Sequence, residues 1–90
     1  MPPRKKAKRD ANESQIVDAL IAVGASVAQL NAKDIPDLLV GFRGRNFLIE
    51  VKSRYGKLTP GQRQWHENWA GETLVVKTID DALRGIGAIN

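Results

Sequence analysis

The stretch PDLLVGFRGRNFLIEVK, residues 36–52, decides the fold. Two apolar runs, Asp37–Val40 and Asn46–Lys52, flank Arg43-Gly44, a spacing that predicts a β-hairpin with a two-residue turn. With Phe42 opposite Arg45, cross-strand partners have numbers summing to 87. Val40 then meets Phe47, Leu38 meets Ile49, and Asp37 meets Glu50. The two-residue period of a strand puts Lys52 on the Glu50 face and Val51 on the other. Directly opposed side chains have Cβ atoms about 4.5–5.5 Å apart, so two carboxylates there repel unless a positive charge lies between them. Mg²⁺ typically takes one or two carboxylates, waters and a phosphate. Asp37 and Glu50 are therefore candidate ligands of a divalent ion, and Lys52 is a candidate catalytic cation. The bland alternative is a solvated edge, since Glu-x-Lys is common on strands and Pro-Asp is common before them. A bulge would shift the register, and Arg-Gly is not the favoured Asn-Gly turn.

Outward from the hairpin, the chain reads as α-β-β-β-α-β-α, a small mixed sheet with helices packed on it. Ile16, Val17, Leu20 and Val23 recur at helical spacing, which predicts a helix over 11–23 with Asn12 as N-cap and Gly24 as stop. Glu13 lies on the same stripe, one turn before Ile16 and Val17. A short strand is expected over 25–30, followed by a turn at 31–34. Thr59-Pro60-Gly61-Gln62 has the form of a capping box with Pro60 at the first helical position, opening a helix to about Ala70. Residues 73–77 form a β-branched strand. Thr78-Ile79-Asp80-Asp81 opens a last helix, broken by Gly85 and Gly87.

Ninety residues bound the chain to one small domain. Residues 1–10 are expected to be a disordered basic arm and residues 11–90 the fold. A chain this short has a thin core, so dimerisation would help it. It has no cysteine, which excludes disulfides and thiolate metal sites. No apolar run approaches the length of a membrane span, and no signal-peptide pattern opens the chain, so a cytoplasmic location is expected.

Charge is unevenly placed. Residues 1–9 hold Arg4, Lys5, Lys6, Lys8 and Arg9 without an acid, while residues 10–90 hold nine bases and ten acids, so +5 and −1 make the net +4. Three readings of the arm stay open: a sequence-independent phosphate-binding arm, a solvated tail, or a nuclear import signal. Residues 33–63 carry seven bases against three acids, which suggests a polyanion-facing surface. Arg43, Arg45, Arg54, Lys57 and Arg63 are its candidate phosphate contacts. His66, the single histidine, reads as a helix-surface residue rather than a general base. Trp65 and Trp69 share a helix face, with core packing, a dimer contact and base stacking as the options.

Pro36-Asp37 followed by Glu50-Val51-Lys52, with twelve residues between the acids, resembles the PD-(D/E)XK nuclease pattern. Joined to Leu58-Thr59-Pro60-Gly61-Gln62 and Trp65, it is similar to the virus-type replication-repair nuclease family, VRR-NUC, over roughly residues 11–78. That resemblance implies a restriction-endonuclease-like core and a metal-dependent DNA endonuclease. By the resemblance, Asp37, Glu50 and the backbone carbonyl of Val51 hold Mg²⁺ or Mn²⁺, and Lys52 is the catalytic lysine. Glu13 is the first-helix acid that completes the site, through water. Gln62 touches Lys52 or the scissile phosphate, with a purely capping role as its alternative. Stand-alone members suggest a homodimer acting on branched DNA, four-way (Holliday) junctions in particular, in a bacterial or phage-infected cell. A less selective nickase or flap nuclease is the in-class alternative, and a catalytically idle DNA-binding module is the rival from another class.

Overall fold

The computed structural model describes residues 9–90. The element order is α1 (Glu13–Ala22), β1 (Ser26–Gln29), β2 (Leu38–Phe42), β3 (Arg45–Val51), α2 (Pro60–Asn68), β4 (Thr73–Val76) and α3 (Ile79–Gly85), in the sequence order expected. The four strands form one sheet in the order β1-β2-β3-β4. The β1–β2 and β2–β3 pairs are antiparallel, whereas β4, reached through α2, runs parallel to β3.

The hairpin has the inferred register: Phe42 pairs with Arg45, Val40 with Phe47 and Leu38 with Ile49. Its turn needs positive φ at both central residues, and Arg43 at 51° and Gly44 at 78° supply it. Glycine accepts that conformation without cost, while Arg43 carries the strain of a Cβ there.

Alternation along β2 and β3 divides the sheet into two faces. Leu38, Val40, Phe42, Phe47, Ile49 and Val51 point to one side and are buried with Ile16 and Leu20 of α1, Ala82 of α3 and Ile86 just after that helix. Leu39, Leu48 and Glu50 point to the other side, where α2 crosses. No residue of α2 is fully buried, so this second layer is light.

Helix α1 ends where Gly24, at φ 97°, allows the chain to turn back. The amide of Gly24 bonds the Ile21 carbonyl at 2.9 Å and that of Ala25 bonds Leu20 at 3.0 Å, a Schellman closure. That closure carries Val23 out of the helix, so the residue expected in the buried stripe is exposed. Asn12 does occupy the N-cap position, but its side chain makes no capping bond. Its Nδ2 donates instead to the carbonyls of Lys52 at 3.1 Å and Lys77 at 2.8 Å, fastening the start of α1 to the ends of β3 and β4.

The disordered arm was expected to reach residue 10, yet Arg9 and Asp10 belong to the folded body. The Asp10 carbonyl accepts from the Glu13 amide at 3.1 Å, and Arg9 is held by side-chain contacts. Residues 1–8, with the phosphate-contact and import readings placed on Arg4, Lys5, Lys6 and Lys8, lie outside the described residues.

Candidate active site

Three carboxylates are buried, Glu13, Asp37 and Glu50, at 3%, 5% and 2% exposure. Burial of an ionised carboxylate is costly unless it is paired or hydrogen-bonded, so their partners define the site.

Asp37 follows from the proline before it. In the hairpin register Val51 would face Pro36, which has no N–H to return. The ladder stops at Leu38, and the Asp37 carboxylate takes the freed donor, with Val51 N to Oδ2 at 2.7 Å. One strand end thus fixes the acid of the other. Val51 contributes its amide here.

Glu50 lies next to it on the α2 side of the sheet. Lys52 Nζ stands 3.5 Å from Glu50 Oε2 and donates to Gln62 Oε1 at 2.8 Å. The Gln62 oxygen also accepts from the Thr59 amide at 3.0 Å, while Thr59 Oγ1 accepts from the Gln62 amide at 3.2 Å. The capping box and the lysine contact, set against each other in the sequence, are one arrangement: the cap presents the glutamine oxygen to Lys52. Thr59→Ala is expected to lower stability by about 1 kcal/mol through loss of a cap. Gln62→Ala should cost a similar amount and also slow turnover about tenfold, because Lys52 loses its orienting acceptor. Thermal melts and single-turnover rates on both variants separate the two effects.

Glu13 is brought to the acids by α1 but is already occupied. Arg9 Nη1 donates to its Oε1 at 3.0 Å and Oε2 at 2.8 Å, and Gln29 Nε2 donates to Oε2 at 3.0 Å. A water-mediated metal role, expected from the resemblance, competes with those bonds. Among the described residues no group of three or more acidic or histidine side chains forms a metal shell. The donor set nevertheless fits Mg²⁺ or Mn²⁺, because the buried carboxylates of Asp37 and Glu50 are the one or two protein ligands such ions use beside water and phosphate.

His66 is half-buried rather than a surface residue, one turn beyond Gln62 on α2, with its ring edge-on to Trp65 at 5.6 Å. Its Nε2 is buried with no hydrogen-bond partner among the described residues. Desolvation, and then the positive charge of Lys52, hold its pKa below the usual 6.5. On acidification the unfolded chain therefore takes up the proton first. Stability should fall as pH drops below about 7 through 6.5 toward the folded value. Melts of wild type and His66→Leu between pH 7.5 and roughly 5.5 check this, the variant lacking that part of the slope.

The candidate phosphate contacts divide. Arg54, Lys57 and Arg63 are exposed on the loop and helix start that follow Lys52. Arg43 and Arg45 sit at the hairpin tip, and Glu50 lies five steps along the strand from Arg45, about 17 Å. Both are engaged: Arg43 stacks over Phe42 at 4.8 Å, and Arg45 stacks over Phe47 at 5.0 Å and pairs with Glu72. They are not beside the acids.

Sequence reasoning missed Asn12, Gln29 and Asp34 as supports of the site. Asp34, at φ 69°, presses its carboxylate against Gly61, where a Cβ would come within 2.7 Å of Oδ2. Glycine at that position lets the β1–β2 connection brace the start of α2, and with it Gln62.

A mixed four-stranded sheet with a buried Asp-(Glu-x-Lys) cluster at the end of its hairpin is the core of a PD-(D/E)XK-type nuclease. No family model and no curated protein matches the sequence. A solved structure described as a VRR_NUC domain superposes with TM-score 0.67 at 25% identity, over 83% of this chain and 94% of that one. That likeness supports the VRR-NUC family as the one this chain resembles. A nuclease domain acts on nucleic acid, DNA being the substrate it implies, and this fold generally uses a divalent metal. Among the described residues no helix is long and apolar enough to cross a membrane.

Proposed function

We propose that the protein is a Mg²⁺- or Mn²⁺-dependent DNA endonuclease that acts as a homodimer on branched DNA, four-way junctions above all. The observation that carries this reading is the placement of Lys52 between Glu50 and Gln62, beside the Asp37 carboxylate that is tied to the Val51 amide. Asp37 and Glu50 would hold the ion, with the Val51 carbonyl as a third ligand, and the ion when bound supplies Lewis-acid polarisation of a phosphoryl oxygen. Lys52 adds a fixed positive charge where charge develops on phosphorus. Gln62 orients that ammonium. Arg54, Lys57 and Arg63 would track the strand running past the site, and the basic residues before Arg9 would add sequence-independent phosphate contacts.

Two features support a dimer. The core is thin, and the α2 side of the sheet leaves Leu39, Trp69 and Val75 at 39%, 48% and 45% exposure. A second copy covering these side chains would place two sites about a two-fold axis, which suits paired incisions across a symmetric junction. Sedimentation equilibrium should then give about twice the 9.9 kDa chain mass. A junction extruded from supercoiled plasmid should yield linear product without nicked circles accumulating. A monomer, or nicked circles appearing first, would favour a single-strand nickase.

A further inference from the structure

The loop from Lys52 to Thr59 joins β3 to α2. From 51 to 66 the chain holds Lys52, Arg54, Lys57 and Arg63 and no acid. Within that run stands Tyr55, at 81% exposure the most open large hydrophobic residue among those described.

The loop that carries it is fastened. The Gly56 amide donates to the Ser53 carbonyl at 2.9 Å, closing a turn with Arg54 and Tyr55 at its corners. Lys77 Nζ donates to the Arg54 carbonyl at 3.0 Å, and Asn12 Nδ2 donates to the Lys52 carbonyl at 3.1 Å. At Gly56 a Cβ would stand 3.3 Å from Lys52 Cβ and 3.2 Å from Ser53 Oγ, so the turn folds back closely on the lysine. The Arg54 guanidinium lies over the Tyr55 ring, 5.2 Å from its centre. One face of the ring is thus covered by a cation, and the other is left to solvent.

What covers the open face must suit the charge around it. A second copy meeting the ring across a two-fold axis would bring Arg54 and Lys57 against their own images, which repel. A nucleic-acid strand instead brings phosphates to those cations and a base to the ring. Bases inside an uninterrupted duplex are already stacked, so only an unpaired or terminal base has a face to give. Three residues of chain span at most about 10 Å, and one strand of duplex advances about 3.4 Å per nucleotide. The ring therefore reaches a base within a few nucleotides of a phosphate at Lys52. Trp69, the other exposed aromatic residue described, already stacks on Trp65 at 4.8 Å. It also stands about two helical turns beyond Gln62.

We infer that Tyr55 is a base-stacking residue: its open face receives an unpaired nucleobase beside the cleavage site, while Arg54 and Lys57 take the flanking phosphates. This rests on the nuclease reading above and gives it a means of telling branched DNA from continuous duplex.

The test is fluorescence titration of the full chain, in chelator, with two DNAs that carry the fluorescent base 2-aminopurine. One holds it in a single-stranded flap next to the branch, the other inside an uninterrupted duplex. Wild type and Tyr55→Phe should both quench the flap probe, because both rings can stack on it. Tyr55→Ala should leave that probe bright and bind the flapped DNA about tenfold more weakly, with affinity for the duplex within about twofold of wild type. Lys57→Gln should weaken both DNAs alike, since a phosphate contact does not depend on pairing. Equal loss on both DNAs for Tyr55→Ala, no loss on either, or the same loss for Tyr55→Phe would overturn the stacking role alone. A sedimentation mass that falls from dimer to monomer on Tyr55→Ala would overturn it in favour of a contact between copies. No binding of either DNA by wild type, in chelator or in Ca²⁺, would overturn the nucleic-acid reading and this inference together.

Discussion

Lys52→Met is expected to slow DNA cleavage on the order of 10³-fold, with little change in folding or DNA affinity. The lysine Nζ lies 3.5 Å from Glu50 and 2.8 Å from Gln62, and its side chain keeps 13% exposure at the rim of the acid cluster. An ammonium so placed acts on charge that develops at phosphorus, which marks it as a transition-state contact. Asp37→Asn and Glu50→Gln should each cost at least as much, because each removes one of the two buried carboxylates that would carry the ion. Those isosteric changes keep the shape of the site, and asparagine at 37 still offers an oxygen to the Val51 amide. Melting temperatures within about 4 °C of wild type, the shift a change of some 1 kcal/mol gives at this size, would show that rate and not folding was lost. Full cleavage by any of the three variants removes that residue from the mechanism.

Ile49→Ala should be the most damaging single change to stability, at about 2–5 kcal/mol. Ile49 is fully buried on β3, with strands on both sides through Leu38 and Leu74, so little can collapse into the space it leaves. Total stability for a domain of this length is of the order of 5–15 kcal/mol, so the loss is a large fraction. The melting point should fall by roughly 10–30 °C. Its backbone neighbour Glu50 would lose its footing, and cleavage should fail at temperatures where the variant still folds in part. Ile21→Ala, on the exposed side of α1, is the control and should stay within about 0.5 kcal/mol of wild type. Urea melts of both variants decide it.

Much of this architecture is legible in residues 36–52, because a two-residue turn fixes every pairing above it and the apolar alternation admits one register. The place of Glu13 also follows from local periodicity, which sets it on the stripe of Ile16 and Leu20. What could not be read are the long-range polar contacts. Asn12 looks like an N-cap by composition, but its amide is claimed by two strand carbonyls 40 and 65 residues away. Asp34 looks like an ordinary turn residue until α2 packs against it. Arg9 sits in a run of bases whose composition says tail, and only its spacing of four from Glu13 hinted at a pair. Arg43 and Arg45 entered the polyanion surface by charge alone, whereas strand length puts them at the far end of the hairpin.

Metal-dependent phosphodiester hydrolysis at Asp37, Glu50 and Lys52 can be decided on one gel. Linear, nicked, flapped and four-way DNA are incubated with wild type and with Glu50→Gln, each with Mg²⁺ and with a chelator. Wild type should cleave in Mg²⁺ alone, most strongly on the four-way substrate, and Glu50→Gln should cleave in no lane. Binding of all four DNAs without cleavage, or equal cleavage by Glu50→Gln, would contradict it.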